Sequence, residues 1–364
     1  MPTIPDRAQT EDSTSFSPDA YFDAWGKGEI TAPYDNDFRK FILTTFGLPR
    51  DDTYTYAAVA EVTLLQAQTY VEFGGQGGLH AWYRDDQGKP LDPPPAVDIA
   101  AYTNIFKSTT NTQKALVGLA SNAKKESIRA SIGQHLQSLY QPPSPERKIV
   151  ISKLKKEHTN PYFDVWAWSC QNLEWAGPEA ATSKVRFSHA ILPILYHHFG
   201  CVCPSYESLS IIYQLAKGRP VIDLGSGNGY WSYMLRVFNK QKPLTVVPVD
   251  NGISEWRTVW VPDTNQIDGV EYLKKNNDGK DQVLLLVYPQ VGLEFTSKIL
   301  KAYKGDTIIC AGTQNSNGYT AFAKETIADW IAREMPVFEK ICQIPLPSFA
   351  AKDEALFAFQ RKAS

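Results

Sequence analysis

Pro220-Val-Ile-Asp-Leu-Gly-Ser-Gly-Asn-Gly-Tyr-Trp-Ser-Tyr-Met-Leu-Arg236 is the stretch from which the fold can be read. Val221, Ile222 and Leu224 make an apolar run of strand length, bounded by Gly218 and Pro220. Gly225, Gly227 and Gly229 follow at alternate positions. Trp231, Met234, Leu235 and Phe238 then recur at helical spacing. The pattern predicts strand, tight glycine turn and helix. Such a turn lets a ligand approach bare backbone, and the helix N-terminus offers free N–H groups.

The spacing separates two kinds of nucleoside loop. Dinucleotide enzymes use GxGxxG, whose third glycine lets the helix pack close on the strand. Here that position holds Tyr230, and an acid, Asp223, stands two residues before a GxGxG run. This resembles motif I of the class I S-adenosylmethionine (SAM)-dependent methyltransferases. In that family the loop wraps the methionine part of the cofactor. The resemblance implies that Asp223, Gly225, Ser226, Gly227, Asn228 and Gly229 bind SAM.

Strand and helix signals alternate around this stretch. Strands are expected near 219–224, 244–249, 258–261, 282–288, 307–311, 337–343 and 355–361, and helices near 229–240, 268–276, 292–303 and 319–334. Alternation implies a mostly parallel sheet with helices on both faces. The connection around Pro345 to Asp353 is too short for a parallel crossover, so the last strand should be antiparallel. An α/β, doubly wound sheet of seven strands with an antiparallel last strand resembles the class I methyltransferase sheet, not the Rossmann dehydrogenase sheet. This domain is expected over 204–364, beginning with a helix N-capped by Ser205.

In such sheets the ligand sits at the carboxyl ends of the strands. Asp250 closes the second strand, where a carboxylate can accept ribose hydroxyls. Asp263 and Asp268 compete as the acid after the third strand, which in the family bonds the adenine amino group. Asp268, which opens the next helix, is favoured. The chain between these strands (251–257) is too short for the family's usual helix, and Trp256 is available as an apolar wall. The fourth strand runs into Tyr288, Pro289 and Gln290, without the acid or Asn of many nucleic-acid amino-methyltransferases or the Pro-Cys of 5-cytosine enzymes. Tyr288 and Gln290 remain placed to line an acceptor pocket. Gln314 and Asn315, in the polar loop after the fifth strand, are candidate substrate contacts.

No histidine follows Pro204. Candidate bases are therefore Tyr288, Glu207, or His189 or His198 from the N-terminal part. Pro204-Ser-Tyr-Glu207, Gly229-Tyr-Trp231, Val287-Tyr-Pro-Gln290 and Tyr303-Lys-Gly-Asp306 are similar to a poorly characterised branch of methyltransferase-like proteins. Members of that branch often carry Trp-Pro-Pro-Tyr where this chain has Val287 to Gln290. In that alignment Glu207 would lie beside the glycine loop.

N-terminal to this region the pattern is helical. Residues 1–18 read as a disordered tail and 19–203 as an all-α domain, with helices expected over 56–73 and 111–140, the latter with Gly118 and Gly133 as candidate breaks, and a break or kink at Pro193. Arg147 to His158 reads as an amphipathic element with a solvated basic face. His197, His198, Cys201 and Cys203 lack the spacing and the second cluster of a zinc site, so no metal is expected.

The chain has 364 residues, 43% hydrophobic and 21% charged, with net charge −2. This is globular composition without a global attraction to nucleic acid or anionic membrane. Five cysteines and a polar N-terminus suggest reduced thiols in the cytosol or nucleus. Two functions follow from the resemblance. One is a SAM-dependent methyltransferase acting on an unidentified acceptor, whether small molecule, protein or RNA. The other is a non-catalytic SAM-binding or interaction protein that retains the fold.

Overall fold

The computed structural model describes residues 16–58, 60–292 and 294–362. Its N-terminal helices are α1 (Pro18–Lys27), α2 (Phe38–Thr45), α3 (Leu64–Phe73), α4 (Ala96–Asn104), α5 (Thr112–Ser121), α6 (Ile128–Leu139), α7 (Pro161–Asn172) and α8 (Ile191–Phe199). Two short strands, β1 (Thr55–Ala57) and β2 (Glu61–Thr63), form an antiparallel hairpin ahead of α3. The N-terminal part is therefore not all-α. Thr63 caps α3 through a capping box with Gln66, so the helix starts there and not at residue 56.

Residues 1–15 of the expected tail lie outside the described residues. Residues 16–18 are ordered. Phe16 packs its ring against Phe46 and Trp260, Ser17 N-caps α1 and Pro18 takes its first position. The expected helix over 111–140 is two helices, capped by Asn111 and Ser127, which pack where Gly133 meets Ala120. Pro193 sits in the first turn of α8, where a missing N–H costs nothing, and the helix runs on unbroken. Arg147 to His158 is extended chain beyond one short 3₁₀ turn ending at Arg147. Side chains pin it: Arg147 bonds Glu339 and Gln360, and the Val150 N–H donates to Gln214 Oε1.

The C-terminal part contains α9 (Tyr206–Ala216), β3 (Val221–Leu224), α10 (Tyr230–Val237), β4 (Val246–Asp250), β5 (Asn265–Gln266), α11 (Gly269–Lys275) and β6 (Val283–Val287). It continues with α12 (Phe295–Ala302), β7 (Thr307–Thr313), α13 (Ile327–Glu334), β8 (Phe338–Pro345) and β9 (Glu354–Arg361). Ser205 caps α9 as the sequence predicts. The seven strands order as β5-β4-β3-β6-β7-β9-β8. Pairs among β3 to β7 are parallel, and β9 runs antiparallel to both neighbours. This is the seven-stranded, doubly wound sheet with an antiparallel last strand that the resemblance to class I methyltransferases implies. The chain reverses direction across the sheet at β3, which sits between β4 and β6.

The third strand is not at 258–261. There the Arg257 and Thr258 N–H groups donate to His197 O, and the Trp260 N–H donates to Asn228 O. That segment is stapled to α8 and the glycine loop, while the sheet edge is taken by the short, exposed, polar β5. The helix expected over 319–334 starts only at Ile327, because Thr326 caps it and Ala321 turns with a φ of 58°.

Alternate residues of each strand face opposite cores. Ile222, Leu284, Leu286 and Ile308 face α11, α12 and α13. Val221, Val283, Leu285 and Ile309 face α9, α10 and the N-terminal helices. The boundary expected at Pro204 falls inside this second, continuous core. Trp166 and Trp175 both donate indole N–H to Ser348 O, and Trp231 donates to Val202 O. Among the described residues no helix is long and apolar enough to cross a membrane.

Candidate active site

The carboxyl ends of β3 and β4 converge on the glycine loop. The Gly225 and Ser226 N–H groups both donate to Val249 O, which ties the loop to β4. Gly227 and Gly229 have φ of 56° and 82°, a left-handed conformation that glycine adopts without strain. Space demands glycine there too. A Cβ on Gly227 would lie 2.7 Å from the Trp256 ring, and one on Gly229 would lie 2.3 Å from Val261.

Asp223 is fully buried and accepts a 2.7 Å hydrogen bond from Ser232 Oγ at Oδ2. Burial pushes its carboxyl up to about 7, the Asp250 charge adds to that, and the Ser232 bond and Arg236 pull against it. Asp223 Oδ1, Ser226 Oγ and Asn228 Nδ2 are all buried without a protein hydrogen-bond partner. Three such atoms on one loop ask for a ligand, since buried polar groups are ordinarily paired. Asp250 accepts from Gly227 N at 2.9 Å and from Gly252 N at 2.8 Å, so it braces the loop. Each of its oxygens keeps a further lone pair.

The segment 251–264 crosses above the loop and contains no helix. It places Trp256 against Gly227, with the indole nitrogen buried and unbonded. Arg257 anchors the segment to the N-terminal part. Its guanidinium forms a buried bidentate bridge to Asp52, donates to Tyr56 OH at 2.6 Å and stands 4.5 Å from the Tyr54 ring centroid. His198 is wholly engaged, with Thr258 Oγ1 at 2.7 Å and Tyr56 OH at 3.0 Å, which leaves no ring nitrogen for a base. His189 stands beside His80 instead, and burial pulls it down to about 3.

The two competing acids separate by register. Asp268 lies past the end of β5, on the site's edge, and caps α11 by accepting from Val270 N and Glu271 N. Asp263 lies before β5, towards the opposite edge, and both of its oxygens bond Arg236. Its carboxylate is therefore already paired, on the edge away from the glycine loop. Glu207 does not lie beside the glycine loop either. It sits on α9 with Tyr140 OH at 3.5 Å, in a 120 Å³ cavity walled by residues 106–113 and 140–153.

Tyr288 follows β6 with a φ of 51°, its N–H on Ala311 O and its ring 6.0 Å from that of Tyr196. Gln290 is exposed and bonds Ser254 Oγ at 3.2 Å, bridging to the 251–264 segment. Gln314 and Asn315, the candidate substrate contacts, turn their amides towards Asp353. They donate to Asp353 at 2.7 and 3.4 Å, and His135 Nε2 meets the same carboxylate at 2.9 Å.

That network exposes what the sequence reading passed over: Lys352, Asp353 and Glu354, all fully buried. Lys352 Nζ stands 3.5 Å from the Tyr319 ring centroid. The available signal was three consecutive charges between Ala350-Ala351 and a strand that is otherwise apolar.

Neither a family model nor a curated protein matches the sequence. Solved structures do. Magnesium protoporphyrin IX methyltransferase from Synechocystis PCC 6803, with bound SAM, aligns at 14% identity and TM-score 0.31 over 49% of this chain and 85% of its own. The trans-methyltransferase CalH, with S-adenosylhomocysteine (SAH), aligns at 12% identity and TM-score 0.34 over 78% and 98%. The 1,6-didemethyltoxoflavin-N1-methyltransferase of Burkholderia thailandensis aligns at 12% identity and TM-score 0.31 over 43% and 78%. At these scores the likenesses add nothing to what the chain's own topology shows.

Proposed function

We propose that this chain is a SAM-dependent methyltransferase acting on an unidentified acceptor. The observation that carries it is the glycine loop at the reversal point of this sheet, with Asp223 Oδ1, Ser226 Oγ and Asn228 Nδ2 buried and unpaired around it. The proposed cofactor residues are Asp223, Gly225, Ser226, Gly227, Asn228, Gly229, Asp250 and Asp268.

SAM supplies a methyl group already activated as a sulfonium. The protein's task is to hold the acceptor in line and exclude water. Asp223 offers a buried carboxyl with a free oxygen, whose ionised form a cationic ligand would favour, and Asp250 retains lone pairs for ribose hydroxyls. Trp256 gives an apolar wall. Tyr288 and Gln290 line the acceptor side, and the helical part, residues 16–203, forms the recognition module and lid. The five unpaired cysteines suit a reducing compartment, the cytosol or nucleus.

Isothermal titration with SAM and SAH tests this. Micromolar affinity for both supports it, and no heat at millimolar ligand overturns it. One observation favours a second reading, a non-catalytic SAM-binding protein: the chain has Tyr288-Pro-Gln290 where many amino-methyltransferases carry an acid or Asn. SAH binding without transfer of labelled methyl to any fraction of a cell extract would select that reading.

A further inference from the structure

Asp353 shows that the fold can satisfy a buried carboxylate at this end of the sheet, since His135, Gln314 and Asn315 all bond it. Its two neighbours are treated differently. Lys352 Nζ and both carboxylate oxygens of Glu354 are buried without a well-formed protein hydrogen bond: the Ser348 hydroxyl stands beside Glu354, but it donates to Leu346 O and accepts from the Glu354 N–H. Both residues are 0% exposed.

Burying charges apart from one another is costly, and a packed apolar pair in their place is often more stable. The Tyr319 ring face beneath the Lys352 ammonium recovers only part of that. Burial pushes Glu354 up and Lys352 down, each towards its neutral form. Buried polar groups are ordinarily paired, so a pair left this way points to a ligand.

Its place in the fold agrees. Glu354 opens β9 opposite Thr313, the last residue of β7, at the carboxyl edge. Burial raises Tyr288, Tyr196 and Cys201, and Glu354 adds to the rise in all three. Cys201 adjoins Gly200, where an added Cβ would lie 3.2 Å from Asn228 Oδ1 in the glycine loop. Glu354 thus stands at the carboxyl edge of the sheet, the edge that carries Tyr288 and the glycine loop, and the Lys352 ammonium lies against Tyr319.

Resting on the methyltransferase reading, we propose that Glu354 and Lys352 form the acceptor end of the site. The acceptor is a small molecule that carries a carboxylate or similar anion for Lys352 beside the N–H or O–H that Glu354 holds for methylation. The acceptor's lone pair forms the new bond to the methyl carbon as the methyl–sulfur bond breaks, and that electron pair stays on sulfur. The proton leaving the acceptor atom is taken by Glu354 in its ionised form, in which its raised affinity for a proton makes it the stronger base, and is released to solvent when the product leaves.

The full chain is incubated with methyl-labelled SAM and a panel of amino acids, 2-hydroxy acids, and amino- and hydroxybenzoates, each beside its carboxamide counterpart. SAH affinity and thermal midpoint are measured in parallel for wild type, Lys352→Met and Glu354→Gln. The expected result is label in anionic members and at least tenfold less in their amides. Glu354→Gln should lower kcat a hundredfold or more, and Lys352→Met should raise KM at least tenfold with kcat nearly unchanged. Both variants should keep wild-type SAH affinity and a midpoint equal or higher.

Equal labelling of acids and amides, or label in no member while SAH binds, overturns this proposal alone. So does a lowered midpoint in both variants with unchanged KM and kcat in the folded fraction, which marks the pair as structural. Absence of SAH binding to the wild type removes this proposal together with the reading it rests on.

Discussion

The two ends of the candidate site are built by opposite means. The glycine end is local: Asp223 to Gly229 and the start of α10 are contiguous, and their polar atoms meet through one turn. The far end is assembled from α6, α8, the turn after β6, the loop after β7 and the start of β9, through His135, Tyr196, Tyr288, Tyr319 and Glu354. Contiguous residues can be recognised as a spacing. Distant residues meet only after folding, so the chemistry of the far end depends on how the helical part docks on the sheet.

Removing that docking should give the largest effect. Arg257→Met leaves the Asp52 carboxylate buried and unpaired, and breaking such a pair costs about 3–5 kcal/mol. Urea denaturation should show that loss, and adding Asp52→Leu should recover most of it. A loss below about 1 kcal/mol would mean that the 251–264 segment is not braced from the N-terminal part.

The glycine end has its own signature, in pH. The ordinary carboxyl value is about 3.9, and Asp223 is pushed up to about 7 in the folded chain. Between these values the native state holds a proton that the unfolded chain has released. Stability from this group is complete below about pH 4 and is lost as pH rises through about 7. The full swing is on the order of 4 kcal/mol. Asp223→Asn should flatten this dependence and stabilise the chain at pH 8 while abolishing SAH binding, as urea curves at pH 5 and pH 8 with titration calorimetry would show. An unchanged pH slope would place the carboxylate in a wetter environment than the packing indicates.

Gly227→Ala should act more modestly on the fold. A left-handed φ costs a non-glycine residue roughly 1–2 kcal/mol, and the new methyl must displace the Trp256 ring. SAH affinity should fall at least tenfold in calorimetry. Retained affinity would mean that ligand does not use that face of the loop.

This contrast also sets what was legible in the chain. The sheet and glycine turn could be read because apolar runs such as Val283 to Val287 and the glycine spacing are properties of neighbouring residues. β5 could not, because its two residues are polar and exposed and only the edge of β4 makes them a strand. Gln314 and Asn315 looked free in a polar loop; the structure spends their amides on Asp353, a partner set by the β7–β9 pairing. The resemblance that rests on Pro204 to Glu207 put Glu207 beside the glycine loop, but its place at the start of α9 turns it towards Thr112 and Tyr140.

The smallest predicted effect separates the two acids that sequence left in competition. Asp263 and Arg236 form an ion pair at the surface, with the Asp263 side chain 59% exposed. Such pairs are worth about 0–1 kcal/mol, so Asp263→Ala should shift the urea midpoint little and leave SAH affinity unchanged. Asp268→Ala removes an N-cap worth about 1 kcal/mol, a similarly small stability change. The two variants should therefore be nearly alike in stability and differ in calorimetry, where only Asp268→Ala lowers SAH affinity. If Asp263→Ala lowers it instead, nucleoside recognition runs from the amino side of β5, and the register that excludes Asp263 has been misjudged. If neither variant changes it, adenine is held by backbone and by Trp256, and Asp268 serves α11 alone.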